Sequence, residues 1–100
     1  MPGLDNAALD TIQSVCKNCE RIKKVMLFGS RATGNNKKTA DIDIAIIGEL
    51  TPSEIWTISG LLNDESPTPY YYDVVHFDSL IDTNFIESIM ASGKVIYEKE

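Results

Sequence analysis

Apolar and polar positions along the 100-residue chain follow two different periods. Leu9, Ile12, Cys16 and Cys19 recur at steps of three and four, which predicts an amphipathic helix over residues 6–19. Asp5 or Asn6 can cap its start. Lys17, Arg21, Lys23 and Lys24 gather around its end, where positive charge suits the helix dipole and reads as a solvated helix end. Val25–Phe28 is a short apolar run closed by Gly29, the pattern of a buried strand. Gly29-Ser30-Arg31-Ala32 then turns the chain, and Gly34-Asn35-Asn36 marks a second turn. Asp41–Ile47 predicts the next strand, with Asp41, Asp43, Ala45 and Ile47 on one face and Ile42, Ile44 and Ile46 on the other.

Thr51-Pro52-Ser53-Glu54 has the chemistry of a helix start, with Thr at the cap, Pro at the first helical position and Glu three residues on. That helix carries Ile55, Trp56, Ile58, Leu61 and Leu62 and runs to about Asn63. Pro67 and Pro69 exclude regular structure ahead of Tyr70–Phe77, whose aromatic and β-branched residues predict a third strand. Asp73 shares a strand face there with Val75 and Phe77. Asp82 caps a last helix through about Ser92, with Ile81 and Ile86 placed for a hydrophobic staple and Gly93 as the stop. Lys94–Tyr97 leaves room for a short edge strand, and Glu98-Lys99-Glu100 reads as a frayed end. The pattern is that of one α/β (α+β) domain over residues 1–100, a small mixed sheet with helices packed against it, ordered α-β-β-α-β-α with an optional final strand.

Composition narrows the function classes. A formal net charge of −6 argues against broad, sequence-independent nucleic-acid binding, which needs a basic footprint. No apolar run reaches membrane-span length, and MPGLDNAALD lacks the basic and apolar regions of a signal peptide, so the expected compartment is the cytoplasm. Cys16 and Cys19 have a CxxC spacing, but late in a helical pattern and with the sole His far away at His76, they read as small residues on a packed helix face. A domain this small has little surface to spare for an elaborate acceptor pocket.

The chemistry concentrates in Val25 to Gly48. Two carboxylates two residues apart on a strand leave the same face about 6.5–7 Å apart. At an effective dielectric of about 20 their repulsion is about 2.5 kcal/mol. A divalent cation between hard oxygen ligands is the simplest remedy, and Mg²⁺ suits one or two carboxylates plus phosphate oxygens. Gly29 permits close backbone approach and Ser30 can donate to a phosphate oxygen. Arg31 either pairs with a triphosphate or points outward from its loop. Lys37 and Lys38 read as solubilising loop charges. His76 falls on the strand face opposite Asp73 and reads as a surface or packed side chain.

Gly29-Ser30-Arg31-Ala32-Thr33-Gly34, Asp41-Ile42-Asp43-Ile44-Ala45-Ile46, Tyr72-Asp73-Val74-Val75 and the closing FIESIMASGKVIYE together resemble the minimal nucleotidyltransferases of the polymerase beta superfamily. The resemblance covers about Val25 to Glu98. It departs from the family pattern at Ala40, where a Ser usually precedes the first Asp. The resemblance implies a nucleotidyltransferase fold and attack on the α-phosphate of ATP with release of pyrophosphate, assisted by two Mg²⁺ ions. It implies Asp41, Asp43 and Asp73 as catalytic, metal-holding residues, with Asp73 also available to take the acceptor hydroxyl's proton. Gly29, Ser30 and Arg31 would bind the nucleotide. Because no acceptor-binding region is visible, a partner is expected: in the family, a helical HEPN protein, often a toxin, to whose tyrosine some members transfer AMP as antitoxins. Homodimerisation is a further option. The alternatives are an antitoxin that masks a HEPN ribonuclease without catalysis and, more remotely, a small-molecule transferase.

Overall fold

A computed structural model describes residues 3–37, 39–65 and 68–99. The expectations for Lys38, Pro67 and Glu100 therefore concern residues outside those described. The elements follow the predicted order. Helix α1 (Asn6–Lys17) leads into strand β1 (Ile22–Phe28), a one-turn helix α2 (Ser30–Thr33) and strand β2 (Ile42–Gly48). Helix α3 (Pro52–Asp64), strand β3 (Tyr72–His76), a 3-10 turn (Phe77–Ser79), helix α4 (Thr83–Ser92) and strand β4 (Lys94–Glu98) complete the domain.

The strands form one mixed sheet in the order β3-β2-β1-β4. Strand β1 is antiparallel to β2 and β4, whereas β2 and β3 run parallel, joined by the crossover helix α3. The β2 alternation decides the layers. Ile42, Ile44 and Ile46 join Val25, Leu27 and Tyr72 in a core covered by Ala8, Ile12 and Cys16 of α1 and Ile58 and Leu62 of α3. The other face carries Met26 and Ala45 under Ile89 of α4, with Phe28, Val75 and Phe85 only partly covered. One face is thus sealed by two helices and the other by one.

Local chemistry explains most of the element ends. The Asp5 carboxylate accepts from the Ala8 amide at 2.8 Å and caps α1. Thr51 and Glu54 form a reciprocal capping box on α3, and Glu54 also pairs with Arg21. Gly93 ends α4 with an extended backbone, and its missing Cβ leaves room for the Ile89 carbonyl and the Met26 side chain.

Several expectations are corrected. Strand β1 begins at Ile22, so Lys23 and Lys24 belong to the sheet; Lys24 lies opposite Glu98, 3.7 Å from its carboxylate. Two lysines conceal a strand from a hydrophobicity pattern when their charges meet an edge partner and solvent. The C-terminal segment is not frayed through Lys99, whose amide donates to the Lys23 carbonyl at 2.9 Å. The Ile81–Ile86 staple does not form, since Ile81 is 92% exposed. Strand β3 excludes Tyr70, Tyr71 and Phe77, and β2 begins one residue after Asp41.

Candidate active site

The parallel pairing of β2 and β3 sets Asp43 directly beside Asp73, while the antiparallel partner of Asp43 is Phe28, the last residue of β1. In-register neighbours on adjacent strands put their side chains on the same face. The Asp43 and Asp73 carboxyls lie close enough to act on each other directly. Burial holds the Asp43 carboxyl above its ordinary range, and the negative charges of Asp73 and then Asp41 push it further. The positive charge of Arg31 opposes that rise.

Gly29 follows Phe28 directly and has φ +76°. A Cβ there would lie 2.5 Å from the Asp43 carboxylate oxygen Oδ2, so the missing side chain is what lets the carboxylate stand against the loop backbone. Ser30 opens α2 half-buried, and its carbonyl accepts from the Asn35 amide at 3.0 Å and the Thr33 hydroxyl at 3.2 Å. The Gly-Ser turn and the carboxylate pair therefore form one locus at an end of the sheet. Asp41 stands exposed just before β2 and reaches Asp43 through its charge.

Arg31 departs from both sequence-based expectations, the triphosphate partner and the outward loop residue. It is only 4% exposed, with its guanidinium donating from Nε at 3.1 Å and Nη2 at 2.8 Å to the Ala40 carbonyl, and from Nη1 at 2.8 Å to the Gly3 carbonyl. The Tyr70 ring packs over it, 4.7 Å from guanidinium carbon to ring centroid. No role for Tyr70 or Gly3 is legible in the chain, because nothing in local spacing connects them to residue 31. His76 is packed, as expected: its Nε2 lies 2.6 Å from the Gly48 carbonyl and the Ser79 hydroxyl lies 2.7 Å from Nδ1. Cys16 is buried, which pushes its thiol up to about 12, with Cys19 beside it.

The donor set fits a hard divalent cation. Mg²⁺ binds through one or two carboxylates and fills its remaining positions with water and phosphate oxygens, and the Asp43–Asp73 pair with the nearby Asp41 charge offers that chemistry. Among the described residues, no three His, Cys, Asp or Glu side chains are gathered closely enough to hold an ion together. The fit is thus to a carboxylate pair that leaves positions for a phosphate ligand. A separate cavity of about 250 Å³ between α1 and α3, lined by Val15, Cys19, Ile58 and Leu61 among others, contains none of these carboxylates.

Comparisons with known proteins agree with this fold. A chain in a solved toxin–antitoxin structure with AMP-PNP superposes with a TM-score of 0.75 at 21% identity, covering 92% of this chain and 74% of that one. A chain from the complex of tri-AMPylated Shewanella oneidensis HEPN toxin with MNT antitoxin gives 0.69 at 21% identity, covering 92% and 71%. One from the toxin–antitoxin MntA–HepT gives 0.70 at 19% identity, covering 95% and 74%. At these identities the likeness is one of fold. No curated protein matches the chain. Residues 10–100 match the family profile described as polymerase beta, nucleotidyltransferase, a span that contains the Gly-Ser turn and all three carboxylates, and the chain belongs to that family.

Proposed function

We propose that the chain transfers AMP from ATP to a tyrosine hydroxyl of a HEPN-type partner protein, in the cytoplasm, and thereby acts as an antitoxin. The observation that carries this reading is the Asp43–Asp73 contact set against Gly29. Support for the nucleotide and the partner comes from the neighbours, which include a toxin–antitoxin structure with AMP-PNP and a tri-AMPylated HEPN toxin in complex with MNT antitoxin.

Gly29 and Ser30 would receive the triphosphate, the glycine by allowing close backbone approach and the serine by donating its hydroxyl to a phosphate oxygen. Asp43 and Asp73 would hold Mg²⁺, with Asp41 adding negative charge or a further ligand. When bound, the ion neutralises phosphate charge and aligns the attacking and leaving oxygens. The acceptor oxygen forms a bond to the α-phosphorus as the bond to the β-phosphate bridging oxygen breaks, and pyrophosphate leaves. Asp73, the exposed member of the pair, would accept the acceptor hydroxyl's proton on a carboxylate oxygen.

The test supplies ATP labelled at either the α- or the γ-phosphate to the complex of this chain with its co-expressed partner. Label on the partner from the α position only, dependent on Mg²⁺ and absent in Asp43→Asn, is the expected result. A stable complex that neutralises the partner without any label, and equally well with Asp43→Asn, would replace transfer with masking.

A further inference from the structure

Asp41 presents a positional problem. It precedes the first residue of β2, is exposed, and is repelled by the carboxylates it must stand beside, so the sheet's hydrogen-bond ladder does not hold it. We propose that Arg31 and Tyr70 are positioning residues that set where the Asp41 carboxylate stands, Arg31 by gripping the Ala40 carbonyl and Tyr70 by fixing Arg31. The guanidinium fork closes on Ala40, the residue before Asp41, with two donors. Ile42, the residue after Asp41, is held from the other side, its amide donating to the Tyr71 carbonyl at 2.9 Å. Asp41 is therefore bracketed by two hydrogen-bonded neighbours, both tied to elements that meet at Tyr70 and Tyr71.

The bracket has its own foundation in the N-terminal segment. Tyr70 donates its hydroxyl to Asp5 Oδ2 at 2.5 Å while Asp5 Oδ1 caps α1. Gly3 gives its carbonyl to Arg31, and its backbone lies so close to residue 31 that a Cβ would collide with the Arg31 carbonyl. Gly3 and Asp5 precede residue 10, where the family match begins. A planar fork that spans two carbonyls and stacks on a ring is a use of arginine that lysine cannot reproduce at equal charge.

The catalytic consequence rests on the function proposed above; the positional claim does not. Arg31→Lys keeps the charge and removes the fork, Tyr70→Leu removes the ring, and Tyr70→Phe keeps the ring while losing the Asp5 bond. Backbone ¹⁵N order parameters at Ala40 and Asp41 would be measured in the full chain, along with kcat and KM for ATP. Arg31→Lys and Tyr70→Leu should lower order at those two amides while leaving Val25–Leu27 unchanged, and Tyr70→Phe should restore most of it. Because a displacement of about 1 Å can cost on the order of 100-fold in rate, kcat should fall about 10- to 100-fold with KM for ATP within about twofold. Unchanged order at Ala40 and Asp41, or a loss spread evenly over the sheet, would overturn the proposal. Should Arg31→Lys fail to fold, the two Tyr70 variants decide it. Absence of transfer in the unmodified protein would overturn the functional reading, and the order parameters would still decide this one.

Discussion

At Asp43 the charge that a cation site needs is one that burial and neighbouring carboxylates disfavour. The Asp43 carboxyl is held high, so the unfolded chain ionises first and folding at neutral pH must carry a charge the site disfavours. The group's stabilising contribution is present below the unfolded value of 3.8 and is lost as pH rises through its higher folded value. Asp43→Asn should therefore raise Tm by a few degrees at pH 7, and the gap to the unmodified protein should narrow as the pH falls toward 4. Thermal melts of both proteins across that range check it. Gly29→Ala should lose about 1–3 kcal/mol from its positive φ, measured by urea unfolding, and lose transfer as well, because the added methyl displaces the Asp43 carboxylate.

Elements show where pattern suffices and where it fails. Helix α3 was legible to the residue at its start because Thr51, Pro52 and Glu54 are local signals that act within one turn. Thr51→Ala should cost about 1 kcal/mol in chemical unfolding. Strand β2 was legible because its isoleucines alternate, and Ile44→Ala, at a fully buried position, should cost about 2–5 kcal/mol by the same measurement. The start of β1 was hidden because Lys23 and Lys24 earn their place through β4, about seventy residues away, and no local window contains that partner.

At the scale of the whole molecule, the sheet sets carboxylates from two neighbouring strands beside the turn that follows a third, and the site's charge is a property of that assembly. A divalent cation that binds there relieves the repulsion, so millimolar Mg²⁺ should raise the Tm of the unmodified protein and leave that of Asp43→Asn nearly unchanged. Differential scanning fluorimetry with Mg²⁺, with and without ATP, reads this directly. No helix among the described residues is long and apolar enough to cross a membrane.

Sequence by itself determined the order of the elements, the faces of β2, the helix caps and the candidate carboxylates, because these depend on periodicity and on interactions within a few residues. It also singled out the Gly-Ser turn, whose glycine the fold sets against the Asp43 carboxylate. Only the tertiary structure decided that Asp43 touches Asp73 while Asp41 stands outside the ladder, since that depends on the register between strands about thirty residues apart. The fate of Arg31 was likewise invisible in the chain. Whether a guanidinium faces a ligand or the interior is decided by which acceptors lie within its reach, and here those are the carbonyls of Ala40 and Gly3 beneath the Tyr70 ring, brought together by packing alone.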